Sequence, residues 1–185
     1  INTAWAAIAE QLDQCEIMLA MQTGACRYFV NESSKDRAFY DRSKMRPDWQ
    51  AQTCAVLAEI AVAKYLGTYA IPTLWPREKH KANAGSADIG EAIEVRAVFK
   101  ESNGPGVRSK DAGKWLVCCH VDPDSDLSTA RIVGCKHIPD TDAMRAWIEK
   151  QERENGYAKI PPEKLEALEG ETLEALRQVV KNHPS

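Results

Sequence analysis

Apolar and polar positions along the chain predict helices at both ends and strands in the middle. Near the N-terminus, apolar residues recur at spacings of three and four, which predicts an amphipathic helix ended by Gly24. These residues are Ile1, Trp5, Ile8, Leu12, Cys15 and Leu19. A second helix is predicted from Asp48, a suitable N-cap, to Gly67, a suitable C-cap. Further helices are predicted over 141–152 and 161–180.

Shorter apolar runs predict strands between these helices. Residues 87–99 predict two strands around a tight turn at Gly90 and Glu91. The runs "WLVCCHV" and "ARIVGCKHI" predict two more strands, and shorter ones are expected over 71–76 and in "YAKI". This order predicts a single α/β domain with a mixed central sheet flanked by helices. Its parts are an N-terminal helical and basic extension (1–47), a core (48–138) and a helical C-terminal part (139–185).

Composition agrees with an ordinary globular protein and excludes some classes. Of the 185 residues, 44% are hydrophobic and 28% are charged. No apolar run approaches the ~20 residues of a membrane span, so we expect no membrane partner. The six cysteines form no CxxC pair, and the first residues lack the features of a signal peptide. We therefore expect reduced thiols and a cytoplasmic protein.

The net charge of -3 conceals an uneven distribution. Residues 27–47 contain six Lys or Arg against three acids, and 95–115 contain five against two. Residues 140–175 reverse this balance, with ten acids against five bases. The basic stretches fit either contact with a polyanion such as DNA or solvated loops. The candidate DNA-binding residues are Arg77, Lys79, His80, Lys81, Arg108 and Lys110.

The stretch "ADIGEAIEVRAVFK" carries the strongest chemical signal. Alternation along a strand places Glu94 and Arg96 on one face, and the tight turn brings Asp88 alongside them. Two converging carboxylates with a nearby base suit Mg²⁺, which binds one or two carboxylates, waters and phosphate oxygens. The same pattern also fits an acid–base pair on an exposed strand face.

A third acid, Glu59, lies within an apolar run of the second helix. Its neighbours three and four residues away are all apolar, so the side chain either points inward toward a cation or lies at the helix edge. Zinc is not predicted at Cys118, His120, Cys135 and His137, because no CxxC pair supports such a site. Pairing of the two strands also puts Cys118 beside Gly134 and Cys135 beside Val117, so that the two Cys–His pairs lie on opposite faces.

The order of these elements resembles the PD-(D/E)XK nuclease superfamily, and more narrowly its small phage-encoded members. The specific parts are "AEIAVAKYLG" and "ADIG...IEVR". The resemblance implies a restriction-endonuclease-like αβββαβ core with extra N- and C-terminal helices. It implies that Asp88 and Glu94 bind Mg²⁺ or Mn²⁺, that Glu59 completes the site, and that the chain cleaves DNA.

One position departs from the superfamily pattern. Arg96 stands where the superfamily usually has lysine, and arginine cannot act as a base, although it can bind phosphate bidentately. Lys64, Lys100 or Lys110 could supply the ammonium, and Lys100 shares the strand face with Arg96.

Three functions therefore stay open. The first is a metal-dependent deoxyribonuclease, and the second is a nuclease-fold phage accessory protein that binds DNA without cutting it. The third is an interaction protein that uses its acidic C-terminal helices. The apolar face over residues 1–19 also allows a homodimer.

Overall fold

A mixed four-stranded sheet forms the centre of the fold, with helices on both faces. The computed structural model describes residues 8–32, 48–70, 87–100, 102–155 and 158–182. Across the sheet the order is β1 (Ile8–Gln11), β5 (Thr129–His137), β4 (Trp115–Val121) and β2 (Ile93–Val98). Strand β5 runs antiparallel to both of its neighbours, whereas β2 runs parallel to β4. Two short strands, β3 (Gly106–Val107) and β6 (Ala158–Lys159), form a separate antiparallel pair.

The α-helices are α1 (Gln14–Glu32), α2 (Asp48–Leu66), α3 (Asp142–Asn155) and α4 (Gly170–Asn182). Short 3₁₀ turns occur at Ser109–Asp111 and Pro162–Lys164. The predicted C-cap of α2 is confirmed: Gly67 has a φ of 77°, and the N–H groups of Gly67 and Thr68 donate to the carbonyls of Lys64 and Ala63. This is the Schellman arrangement, which favours glycine at the left-handed position.

Two apolar cores lie on opposite faces of the sheet. On one face α2 packs against strand residues that include Ile93, Val95 and Val117. On the other face Leu116 and Cys118 cluster with Ile148 of α3. The predicted register is confirmed, since Cys118 pairs with Gly134 and Val117 with Cys135. Cys118 and Cys135 accordingly belong to different cores.

The prediction of one N-terminal helix ending at Gly24 is wrong. Residues 8–11 form β1 instead, and α1 begins after Asp13. Asp13 accepts a hydrogen bond from the N–H of Glu16, whose side chain accepts one from the N–H of Asp13. This capping box starts the helix at a fixed position. Gly24 lies inside α1, where it allows close contact with Thr53 of α2.

The α/β class with a mixed sheet flanked by helices is confirmed. Of the two strands predicted over 87–99, only the second forms, as β2, which joins β4 in parallel. The segment before the turn forms no strand and contributes only the isolated Ile89–Ile93 bridge. The predicted strand over 71–76 and the basic loop after it lie outside the described residues. The restriction-endonuclease-like core therefore stays a prediction.

Candidate active site

Strand β2 positions the two central side chains of the candidate site. Ile93 and Val95 point into the core beneath α2, so the alternation of the strand turns Glu94 and Arg96 to the opposite face. Glu94 is almost completely buried there, with only 1% of its side chain exposed. A buried carboxylate requires cationic or hydrogen-bonding partners, because an isolated charge in this position costs several kcal/mol.

Glu94 has three cationic partners. Nη1 of Arg96 donates to Oε2 at 2.9 Å, and Nζ of Lys114 donates to Oε1 at 2.9 Å. Nζ of Lys110 lies 3.3 Å from the same Oε1. Burial by itself would raise the pKa of Glu94. The positive charges of Arg96, Lys110 and Lys114 outweigh burial, so this pKa lies below its ordinary value.

Arg96 is held by a second buried acid, Asp111. Its Nη2 donates to both carboxylate oxygens of Asp111, at 3.0 and 2.8 Å, and its Nε donates to the carbonyl of Gly106 at 3.2 Å. Asp111 is fully buried and also accepts a hydrogen bond from the N–H of Arg108. Burial opposes the charge of Arg96, but Asp111, Glu94 and Asp88 outweigh it and raise the pKa of the guanidinium.

The turn before β2 places Asp88 beside the charged cluster that Glu94, Arg96 and Asp111 form with Lys110 and Lys114. The N–H groups of Asp88 and Ile89 both approach the carbonyl of Ile93, which turns the Asp88 side chain alongside the strand. Its Oδ2 accepts a hydrogen bond from the N–H of Val95 at 2.8 Å and lies 3.6 Å from Nη1 of Arg96. Burial, followed by the negative charges of Glu59 and Glu94, raises the pKa of Asp88 to about 6. Asp88 therefore lies within electrostatic reach of both glutamates.

Helix α2 contributes Glu59, which is buried, and the inward orientation is confirmed. Both of its oxygens accept hydrogen bonds from Arg27 of α1, at 2.7 and 2.9 Å. The negative charge of Asp88 also acts on Arg27. The cation that pairs with Glu59 is therefore Arg27, which the sequence analysis did not identify as a site residue.

The structure separates the predicted basic residues into three groups. Lys110 joins the cluster, whereas the side chains of Lys100 and Arg108 are exposed. In the part of the chain that the structure describes, the side chain of Lys100 makes no hydrogen bond or ion pair, although its carbonyl accepts a bond from the N–H of Asn103. Its role at the site stays a prediction. Four other predicted DNA contacts lie outside the described residues: Arg77, Lys79, His80 and Lys81.

Three members of the cluster were missed from the sequence: Arg27, Asp111 and Lys114. Asp111 and Lys114 belong to a Gly- and Pro-rich segment that resembles a solvated loop. One signal was available, because an acid three residues after Arg108 can cap a short helical turn. No comparable signal marks Arg27, whose partner lies 32 residues further along the chain.

The fit of the site to a divalent metal is incomplete. Among residues 8–32, 48–70, 87–100, 102–155 and 158–182, no group of three or more His, Cys, Asp or Glu side chains is arranged to hold a metal ion. The oxygens of Glu59 and Glu94 are directed at cations. Asp88 differs, since its Oδ1 forms no hydrogen bond with another described residue. The ligand atoms suit Mg²⁺ chemically, but Glu94 would have to release a lysine to bind it.

Counted over the described residues alone, the charges of the cluster balance. Four carboxylates face four cations: Glu59, Asp88, Glu94 and Asp111 against Arg27, Arg96, Lys110 and Lys114. An added divalent ion would leave this site with excess positive charge. An anionic ligand such as a phosphate would reduce that excess, so the electrostatics favour binding of metal and phosphate together.

Comparisons with protein-family models, with curated proteins and with solved structures find no match to this chain. Within the described ranges, none of the helices has an apolar stretch long enough to cross a bilayer.

Proposed function

We propose that this chain is a Mg²⁺-dependent DNA nuclease of the PD-(D/E)XK type, for which Mn²⁺ could replace Mg²⁺. The observation that carries the proposal is the placement of Asp88 beside Glu94, since Oδ2 of Asp88 and Oε2 of Glu94 lie 3.6 and 2.9 Å from the same atom, Nη1 of Arg96. The negative charges of Glu59 and Glu94 also raise the pKa of Asp88. These acids come from a helix, a turn and a strand, and their oxygens are the ligand type that Mg²⁺ prefers.

In this proposal Asp88 and Glu94 hold the ion, and Glu59 supports Asp88 from α2. Once bound, the ion would polarise a phosphate oxygen and lower the pKa of a bound water. The N–H of Val95 fixes the orientation of the Asp88 carboxylate. The cations around Glu94 would stabilise the negative charge that develops on the phosphate during hydrolysis.

The surrounding basic residues would bind the DNA backbone. Arg108 and Lys110 flank the buried Asp111, and Lys100 is exposed after the end of β2. The contacts predicted at 77–81 lie outside the described residues and stay a prediction from the sequence. Backbone contacts of this kind are independent of base sequence and weaken as salt increases.

A second function is a DNA-binding accessory protein that does not hydrolyse DNA. This function is favoured because the carboxylates of Glu59 and Glu94 already form ion pairs with basic side chains. In that case the cluster would stabilise the fold, and the exposed cations alone would contact phosphates.

Incubation of supercoiled plasmid with the protein in Mg²⁺, in Mn²⁺ or in EDTA separates these functions. We expect nicking or linearisation with either metal ion, no cleavage in EDTA, and no cleavage by a Glu94→Ala variant. Equal cleavage by the variant would indicate a contaminating nuclease. Salt-sensitive DNA binding without cleavage would favour the accessory protein, and neither binding nor cleavage would exclude both functions.

A further inference from the structure

The guanidinium of Arg96 is held at all three of its nitrogens by residues of the protein. Its Nε bonds to Gly106, its Nη2 bonds to both oxygens of Asp111, and its Nη1 bonds to Glu94 and to the carbonyl of Val95. All three nitrogens of the guanidinium are thus engaged by residues of the protein, and two of its partners, Glu94 and Asp111, are buried. Contact of Arg96 with a phosphate would therefore compete with these bonds.

The two lysines beside Glu94 differ from Arg96 in this respect. An ammonium has three N–H donors. Lys110 and Lys114 each direct one of them at Oε1 of Glu94, and neither ammonium group makes another hydrogen bond with described residues. The side chain of Lys110 is 35% exposed, and that of Lys114 is 10% exposed. Both lysines therefore keep unused donors, and Lys110 reaches the solvent.

Glu94 would remain paired if one lysine left it. Its Oε2 is bonded to Arg96, and its Oε1 has two lysines competing for one oxygen. The bond from Lys110 is the longer of the two, at 3.3 Å against 2.9 Å. Lysine also has a long, flexible side chain that can move its charge between partners.

From these contacts we infer that Lys110 and Lys114 together form the phosphate-binding position of the site. Lys110 exchanges its bond to Glu94 for a phosphate oxygen, and Lys114 keeps Glu94 in place while directing its spare donors toward the same phosphate. Arg96 is a positioning residue, fixed by Asp111, that aligns Glu94. This assignment rests on the proposed binding of nucleic acid, but it does not require hydrolysis.

The experiment measures binding of a short fluorescein-labelled DNA duplex by fluorescence anisotropy in EDTA, over a series of salt concentrations. Loss of one phosphate contact lowers the slope of log K against log salt by about 0.9 and the affinity about fivefold near 0.15 M salt. We expect this change for Lys110→Met, and a larger one for Lys110→Met with Lys114→Met. Lys150→Met, which removes an exposed charge on α3, should bind like the wild type.

The competing assignment is tested with Arg96→Lys. We expect this variant to have a lower melting temperature but an unchanged salt slope, because Arg96 makes no phosphate contact. An unchanged slope for Lys110→Met, a reduced slope for Arg96→Lys, or no DNA binding by the wild type would each overturn the inference. If the double variant does not fold, Lys110→Met alone decides.

Failure of this inference differs from failure of the nuclease proposal. DNA binding that depends on Lys110 without plasmid cleavage would leave the phosphate position standing and exclude the nuclease. Cleavage by the wild type, together with full DNA affinity in Lys110→Met, would support the nuclease and exclude the phosphate-binding position.

Discussion

The ammonium of Lys114 lies 2.9 Å from Oε1 of Glu94, and both residues are buried. Lys114 directly precedes β4, and Glu94 lies on β2, so this ion pair joins two parallel strands next to a main-chain bond from Trp115 to Ala92. A buried pair of this kind fixes geometry more than it adds stability. The site is consequently built into the sheet and does not depend on an exposed loop alone.

Asp88→Asn should stabilise the protein at neutral pH. Asparagine keeps an oxygen that can accept the bond from Val95, but it removes a negative charge that Glu59 and Glu94 oppose. The pKa of Asp88 is about 6 in the folded protein, against an ordinary value of 3.8. The folded wild type therefore binds a proton more tightly than the unfolded chain, and it loses stability as the pH rises from about 4 to 6.

Thermal melting followed by circular dichroism checks this prediction. The advantage of Asp88→Asn over the wild type should be largest above about pH 7 and should shrink as the pH falls toward 4. A variant that is less stable than the wild type at neutral pH would show that the Asp88 charge is favourable, and that Arg96 dominates its environment.

Arg27→Met should destabilise the protein by about 3 kcal/mol, because it leaves the buried Glu59 carboxylate without its bidentate partner. Glu59→Gln in the same background removes the stranded charge and should recover part of the loss. Urea denaturation of the two single variants and the double variant gives the coupling energy. Additive effects would mean that the Arg27–Glu59 pair does not stabilise the contact between α1 and α2.

Asp111→Asn should cost about 3 kcal/mol, since both oxygens of the fully buried Asp111 accept from Nη2 of the Arg96 guanidinium. The matched control is Asp140→Asn, because Asp140 also pairs with an arginine but is exposed. Exposed pairs contribute about 0–1 kcal/mol. Chemical denaturation of both variants gives their free energies of unfolding. Equal losses of stability would contradict the claim that Asp111 stabilises the protein by holding Arg96.

Gly24→Ala should destabilise the protein, although alanine in a helix usually adds about 1 kcal/mol relative to glycine. An added Cβ would lie 2.5 Å from Oγ1 and 2.6 Å from the main-chain nitrogen of Thr53. Helix α1 would have to move away from α2. Thr53→Ala should not rescue the loss, because the main-chain contact remains. A higher melting temperature for Gly24→Ala would disprove this close packing.

The sequence predicted β2, β4, β5 and α2 well, for reasons of periodicity. Strands β4 and β5 are apolar runs joined by a turn of acidic residues, and their predicted register is the observed one. Helix α2 has an apolar composition, and its end is marked by Gly67. In these elements, local pattern and tertiary packing agree.

Prediction failed where residues distant in sequence or local hydrogen bonds decide the outcome. The apolar spacing from Ile1 to Leu19 fits a helix, but β1 gains its main-chain bonds from β5, more than 100 residues away. Pairing of Glu59 with Arg27 depends on how α1 packs on α2. Spacing alone identified Asp88, Glu94 and Arg96 as neighbours, but it could not show that Asp111 and Lys114 would surround them.

The most direct test of the central claim compares nicking of supercoiled plasmid in Mg²⁺ by the wild type and by Asp88→Asn. This variant should keep its fold, which circular dichroism would verify, so a loss of activity reports on the site. We predict that the wild type cleaves and that Asp88→Asn does not. No cleavage by the folded wild type, or equal cleavage by both proteins, would contradict the claim.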